Sequence, residues 1–399
     1  MCKTRFTFPC RTDGVCNIYR SDVDEMKGDS EVSVSTHLPL TSAGEDEEVL
    51  CSTCPNISKC TDDIDITSCS ASRLHRALTS PRCFFKEDIE ERSFEHVMFL
   101  RGMHRLGLST HRASLESFRR YADLWLPLVA KVYKGEMDLD RDTLLVPPAD
   151  IAWIWHCHRL APKHYLEHTR STFSISGYLE ARPPFQFQEK GLGEECDLNV
   201  PSMSSTRVMT AAAPNIDLVK RQTREIWQKL FPGESFFIAD GINSLDSASP
   251  VDKSYKSSFS EGEILEKTRG ILSGYNILDS GERQSAFLWQ VSQARFFYQA
   301  FLRDGVANYT RFLFLRSDGE KQVIVPTYQI DLMWHTHILS SLEAYEVETC
   351  RVMGHMLNHD DSLNDRSAGS SLEVAFKSTC QLWLSKYGSQ YFCPGGMYR

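Results

Sequence analysis

The chain has no long apolar run: among its 399 residues, no stretch approaches the about 18–20 consecutive apolar residues of a membrane-spanning helix. It also lacks an apolar segment directly after its N-terminal methionine, which argues against a secretory signal. A basic surplus is absent too, since the formal net charge is −9, and this argues against a nucleic-acid partner. We therefore expect a cytoplasmic protein without a membrane span, whose partner is a still unidentified protein.

Motifs of common enzyme classes are absent as well. The chain contains no G-x-x-x-x-G-K-S/T or G-x-G-x-x-G pattern for a nucleotide and no G-x-S-x-G pattern of a serine hydrolase. It has one close cysteine pair, Cys51 and Cys54, where an all-cysteine zinc site usually has two. Because thiols stay reduced in the cytoplasm, we expect free cysteines there, with a zinc knuckle as the alternative. The status of the chain as an enzyme stays open, and a non-enzymatic role is favoured.

One segment of the sequence occurs twice. Residues 146–158 and 325–337 match without a gap at a constant offset of 179, and Val, Pro, Ile, Trp and both His are in register. Each copy ends in Trp-His-x-His, and Trp and His are rare residue types. Because an internal match of long period indicates duplicated structural units, the sequence predicts two related halves.

The composition divides the chain into four regions. Residues 1–83 are predicted to be a disordered tail that carries eight of the 13 cysteines, because its acidic, aromatic-poor sequence cannot bury enough apolar surface. Residues 84–185 are predicted to form a first helical repeat and residues 263–399 a second one. The connecting region, 186–262, contains a short amphipathic helix around Trp227.

The helical pattern is clearest before each repeated segment. Apolar residues from Leu115 to Val132 recur on one helix face, and Pro127 predicts a kink or a break there. The residues from Phe287 to Phe301 show the same spacing, and Gly305 predicts an interruption before a shorter helix.

Each repeated segment predicts a helical hairpin. The first helices cover residues 151–160 and 330–339, and second helices follow from Pro162 and from the capping pattern Ser340-x-x-Glu343. Residues 144–146 and 323–325 are short strands or extended segments. The predicted fold class is therefore mainly α: two pseudo-repeated helical-hairpin units that share an aromatic core, with few short strands and a disordered N-terminal tail.

Several motifs in order resemble the glycine-rich domain-containing protein family over roughly residues 90–399. They include Trp155-His156-Cys157-His158, Arg283-Gln284-Ser285, Trp334-His335-Thr336-His337, His359-Asp360-Asp361 and Gly395-Gly396-Met397-Tyr398-Arg399. The resemblance implies a role in stress or developmental responses without an established catalytic activity. Longer members add a glycine-rich C-terminal region and sometimes an RNA-recognition domain. This chain, with 22 glycines spread thinly, is expected to carry the core region alone.

Histidines are the first candidates for chemistry. The candidate metal ligands are His156, His158, His335, His337, His355, His359 and Asp331. Side chains two residues apart on a helix point about 200° away from each other, so the two histidines of one motif are not expected to share an ion. One histidine from each half could meet across the interface, and Asp331 could orient His335 from one turn away. Structural histidines in the core are favoured over a divalent transition metal or acid–base catalysis.

Two further patterns contain histidine pairs. His355 and His359 are four residues apart, but Gly354 predicts that the helix ends before them, which favours a polar loop. His164 and His168 belong to an H-x-x-E-H pattern, which occurs in one group of metalloproteases but is short. The sequence therefore favours a non-enzymatic interaction or scaffold protein, and a metal-binding protein or metal-dependent enzyme is the alternative.

Overall fold

The structure is a computed structural model that describes residues 70–80, 84–108, 115–139, 143–179, 216–236, 260–272, 274–318, 322–361, 363, 365 and 367–391. Within these ranges the fold is mainly helical and contains no strand, and residues 144–146 and 323–325 have no regular secondary structure. The α-helices are α1 (Ser70–Thr79), α2 (Ile89–Arg105), α3 (Leu115–Arg119), α4 (Leu126–Tyr133), α5 (Ala149–Arg159), α6 (Pro162–Phe173), α7 (Ile216–Leu230), α8 (Glu261–Leu272), α9 (Ile277–Val291), α10 (Gln299–Asp318), α11 (Tyr328–Ser340), α12 (Leu342–Met353) and α13 (Ser371–Tyr387). None of them is long and apolar enough to cross a membrane.

Residues 1–69 of the predicted tail lie outside the described residues. The part of that prediction that covers α1 is wrong, because this helix packs against α10. Ala77 is buried and Leu74 lies partly buried against the core. Burial of these two apolar side chains contributes to holding the helix against the core.

The repeated segments form the two central helices, α5 and α11. Every residue of both helices is buried. Helix α11 packs against α2, α9, α10 and α12, and α5 packs against α3, α6 and α9. A helix surrounded on all sides is usually apolar throughout. These two carry histidines instead, so each ring nitrogen needs a partner inside the core.

Both hairpins contain the same relay of hydrogen bonds. A tryptophan of the first helix donates its indole N–H to a tyrosine of the second helix, whose hydroxyl donates to a backbone carbonyl further along. The residues are, in order, Trp155, Tyr165 and Leu179 in the first hairpin and Trp334, Tyr345 and Leu357 in the second, with distances of 3.0, 2.9, 2.8 and 2.7 Å. These contacts support the interpretation of related hairpins, whose common origin stays a prediction.

The segments before the two prolines are held by equivalent hydrogen bonds. The N–H of Val146 donates to Oγ1 of Thr223 in α7, and the N–H of Val325 donates to Oγ1 of Thr379 in α13. Both distances are 3.0 Å. A helix from outside each hairpin therefore fixes the chain direction just before α5 and α11 begin.

The helix does not break at Pro127, because α3, a π-helical turn and α4 follow one another without a gap. Residues Arg120–Trp125 form a π-helical turn between α3 and α4, in which the N–H of Leu126 donates to the carbonyl of Tyr121. A proline in a regular helix would clash with the carbonyl four residues earlier. The wider π turn accommodates that ring between two α-helical segments.

Two predictions near the second hairpin are wrong. Residues from Phe287 to Phe301 do not form one helix: α9 ends at Val291, a 3-10 turn follows at Ala294–Phe297, and α10 then begins. Gly305 lies inside α10, where a Cβ atom would meet Met333 at 3.2 Å. That glycine therefore permits close packing of α10 on α11, and it does not interrupt the helix.

The N-cap of α12 also differs from the prediction by one residue. Oγ of Ser341, not of Ser340, accepts the N–H of Ala344, while the hydroxyl of Ser340 donates back to the carbonyl of Thr336. The predicted helix start at Pro162 and the predicted end of α12 at Gly354 are confirmed.

Candidate metal centre

Helix α11 places Asp331 and His335 one turn apart on the same face, as their i, i+4 spacing dictates. Oδ1 of Asp331 lies 3.5 Å from Nε2 of His335. Thr327 caps the helix start, where its hydroxyl oxygen accepts the N–H of Ile330. This capping bond stabilises the helical turn that carries Asp331.

The third member of the site, His359, comes from the segment after α12. Gly354 ends α12 with a left-handed φ of 76°, and the chain then turns back toward α11. Nε2 of His359 lies 2.9 Å from Nε2 of His335 and 3.9 Å from Oδ1 of Asp331. One ligand atom from each of the three side chains lies within 4.8 Å of the others.

The distances agree with a common metal ion. With bonds of 2.0–2.1 Å, two ligand atoms of a tetrahedral zinc ion lie about 3.3 Å apart. The three measured separations, 2.9, 3.5 and 3.9 Å, lie on either side of this value. Two imidazole nitrogens and one carboxylate oxygen are also ligands that zinc and similar transition metals accept.

A carbonyl of the first half orients His359. Nδ1 of His359 lies 2.9 Å from the carbonyl oxygen of Leu160, and only a protonated Nδ1 can bond to that acceptor. In the neutral ring, Nε2 of His359 therefore carries the lone pair that faces His335. A hydrogen bond from the second ring nitrogen to a carbonyl is the usual support of a histidine ligand.

The site is closed by aromatic rings. Asp331 and His335 are fully buried and His359 is 5% exposed. The ring centre of Phe287 lies 4.4 Å from that of His335, and the ring centre of Trp334 lies 4.9 Å from that of His359. An ion held here would be shielded from solvent.

The first half has a different arrangement at the equivalent place. Nε2 of His156, which corresponds to His335, lies 3.0 Å from Nε2 of His96 in α2. Ala152 stands where the second half has Asp331, so the carboxylate is missing. Burial lowers the pKa of His156 to about 3, with a contribution from the charge of Arg159, and that ring is neutral near pH 7.

The last histidine of each motif contacts a tyrosine of the preceding helical segment. Nδ1 of His158 lies 2.8 Å from the hydroxyl of Tyr121, and Nδ1 of His337 lies 3.0 Å from the hydroxyl of Tyr309. The two histidines of one motif have different partners, as the helical geometry predicts. The sequence left open a pairing of one histidine from each motif across the interface, and this pairing does not form. His156 pairs with His96, and His335 pairs with His359.

His355, like His156, His158 and His337, lies apart from the three grouped residues. His355 is exposed directly after Gly354, so it does not share a helix face with His359. Sequence reasoning missed His96, although a signal was available. Ser93, His96, Val97 and Leu100 form the buried face of α2 at helical spacing, and a histidine on such a face requires a polar partner.

Comparisons with known proteins agree with the resemblance seen in the sequence. Residues 206–347 match the family described as "Glycine-rich domain-containing protein-like". The chain is 31% identical over 310 residues to "Glycine-rich domain-containing protein 1" and to "Glycine-rich domain-containing protein 2" of Arabidopsis thaliana, a match that covers 76% of this chain. It spans 32% and 33% of the lengths of these two relatives. No solved structure matches the chain significantly. These matches relate the chain to the glycine-rich domain-containing protein family.

Proposed function

We propose that this chain is a non-enzymatic interaction protein whose helical core is stabilised by a transition-metal ion bound to Asp331, His335 and His359. The observation that carries the proposal is the convergence of three ligand atoms within 4.8 Å in a buried place. The family resemblance extends the proposal to a role in stress or developmental responses.

Burial favours a structural ion over a catalytic one. Catalytic zinc has three protein ligands and a fourth position that water or substrate can reach, whereas structural zinc almost always has four protein ligands. The Asp331 site provides three, so access to the fourth position decides between the two. Here all three side chains are at least 95% buried, and the rings of Phe287 and Trp334 lie against the two imidazoles. A substrate would have to displace part of the core before it reached the ion.

At this position an ion would cross-link separate segments of the fold. Asp331 and His335 belong to α11, His359 belongs to the segment after α12, and the same His359 is bonded to the end of α5 through Leu160. An ion there joins the second hairpin to its own C-terminal extension and, through one hydrogen bond, to the first hairpin. Binding to the native state alone stabilises it by mass action, by about 4 kcal/mol when free metal exceeds Kd by 1,000-fold.

Thermal unfolding of the metal-stripped and zinc-loaded full chain tests the proposal. The wild-type chain is expected to unfold at a higher temperature after zinc loading, whereas a chain with Asp331→Asn and His335→Gln gains less. His355→Gln is the matched control, because it removes an exposed histidine of the same half and leaves the zinc response unchanged. Equal zinc responses of the wild-type chain and the Asp331, His335 variant would contradict the proposal.

A further inference from the structure

A second group of histidines lies at the first hairpin, apart from the three proposed ligands. His158 is in the last turn of α5, and His164 and His168 are one turn apart in α6. The last two are the histidines of the H-x-x-E-H pattern. Its glutamate, Glu167, is exposed, so the pattern contributes histidines and not a carboxylate to this place.

Two of the three ring pairs are spaced like ligands around one ion. Nε2 of His158 lies 3.1 Å from Nδ1 of His164, near the about 3.3 Å expected for two nitrogens on a tetrahedral zinc ion. The corresponding distance between ring centres is about 5 Å. The ring centre of His158 lies 5.1 Å from that of His164 and 5.4 Å from that of His168.

His168 is the member that must move to complete the set. Its ring is nearly parallel to that of His164, at 10°, and the two centres are 6.5 Å apart. His168 is only 8% exposed, and its buried Nδ1 has no hydrogen-bond partner among the described residues. A buried polar atom of this kind lacks the partner that core groups normally have. Turning this ring toward the other two therefore breaks no hydrogen bond of Nδ1.

The second half shows that this helix position faces the motif. Tyr165 and Tyr345 play the same role in the two hairpins, so the residue three positions later is His168 in one and Glu348 in the other. Oε2 of Glu348 lies 2.8 Å from Nε2 of His337, the last histidine of its motif. Where the second half pairs an imidazole with a carboxylate, the first half gathers three imidazoles.

The protonation states suit metal binding. Burial, together with the neighbouring His168 and His164, lowers the pKa of His158 well below 6.5. Burial and the proximity of His164 lower the pKa of His168 to about 4. Both rings are thus neutral near pH 7, and only a neutral imidazole offers a lone pair to a metal. The hydroxyl of Tyr121, bonded to Nδ1 of His158, supports this ring from behind.

We propose that His158, His164 and His168 form a second site for a divalent transition metal of the zinc class, independent of the Asp331 site. Three imidazoles are an established ligand set for zinc. His164 is half-buried, unlike any ligand of the Asp331 site. The second site is therefore the more accessible of the two, and it exchanges its ion faster.

Titration of the metal-stripped full chain with Co(II) tests this site. A chain with His164→Gln and His168→Gln is expected to bind one equivalent fewer than the wild-type chain. Lys163→Gln with Glu167→Gln is the matched control, since both residues are exposed on the same helix, and it binds the wild-type number. Any Co(II) taken up by the cysteines is common to all three proteins and cancels in the comparison.

The outcome is distinguishable from that of the first proposal. The double substitution Asp331→Asn, His335→Gln is expected to remove a different equivalent of bound Co(II). The experiment can therefore refute either site without refuting the other. If the double histidine variant does not fold by circular dichroism, His164→Gln alone is used. It should weaken Co(II) binding by about tenfold or more, since even outer-shell changes cost 10–100-fold. Unchanged stoichiometry in the folded double variant, or unchanged affinity in the single variant, would overturn the second site.

Discussion

Nδ1 of His359 donates to the carbonyl oxygen of Leu160, 2.9 Å away, although 199 residues separate the two along the chain. The bond connects the turn between the two helices of the first hairpin with a proposed metal ligand of the second half. It also fixes which nitrogen of His359 faces His335. The orientation of this proposed ligand therefore depends on how the two halves pack against each other.

The tryptophan of the second motif is expected to be a major contributor to stability. Trp334 is 6% exposed, and its ring packs against Phe312. Replacing it with alanine leaves a cavity, and the free energy of unfolding should fall by about 3–5 kcal/mol. Denaturant unfolding measures this change. Trp289→Ala, which alters a tryptophan that is 49% exposed, should have a much smaller effect, and equal effects would contradict the prediction.

The hydroxyl of Tyr345 is expected to be worth more than that of an exposed tyrosine. Tyr345→Phe leaves the buried indole N–H of Trp334 and the carbonyl of Leu357 without their shared partner. We expect a loss of about 1–3 kcal/mol in unfolding free energy. Tyr298→Phe, at a site that is 46% exposed, should change it by less than about 0.5 kcal/mol. The relay has no energetic role if the two variants are equally stable.

Acid should destabilise the metal-stripped chain partly through His96. Burial, and then the proximity of His156, lowers the pKa of His96 well below 6.5. Below pH 6.5 the imidazole of His96 is protonated in the unfolded chain and stays neutral in the folded chain. The free energy of unfolding therefore decreases as the pH is lowered, by up to about 1.4 kcal/mol per pH unit. Above pH 6.5 this contribution is complete and constant.

His96→Gln removes that contribution. Urea unfolding in the presence of a chelator, between pH 7 and 5, should show a shallower pH dependence for this variant than for the wild-type chain. The absolute stability of the variant does not enter the comparison, because the slope is the measured quantity. Parallel curves over this range would show that His96 is protonated equally in both states.

The cysteine inside the first motif is expected to be inert. Cys157 is fully buried, and burial raises the pKa of its thiol well above 9. Since the thiolate is the reactive form, alkylation in the native state should be far slower at Cys157 than at the half-buried Cys350. Peptide mapping after brief treatment with iodoacetamide measures both rates. Equal labelling of the two cysteines would contradict the prediction.

Local patterns of the sequence predicted the helices that local chemistry controls. The hairpin helices, the start at Pro162 and the end at Gly354 follow from residues within one or two turns. The wrong predictions have tertiary causes. Gly305 lies inside α10 at a close approach to Met333, and α9 stops at Val291 although the apolar spacing continues.

Only part of the candidate site could be predicted from the sequence. Asp331 and His335 are one helical turn apart, so their shared face follows from the sequence. The position of His359 depends on the path of the chain beyond Gly354, and the pairing of His96 with His156 joins residues 60 apart. Periodicity describes one element at a time, and it contains no information about which elements meet.

X-ray absorption at the zinc edge tests the Asp331, His335, His359 site most directly, with the chain loaded with one equivalent in a His164→Gln, His168→Gln background. We expect nitrogen and oxygen ligands at about 2.0–2.1 Å, two of them imidazoles, and the loss of one imidazole when His359 is replaced by glutamine. Sulfur ligands at about 2.3 Å would place the ion among the cysteines. That result, or a spectrum unchanged by His359→Gln, would contradict the proposed site.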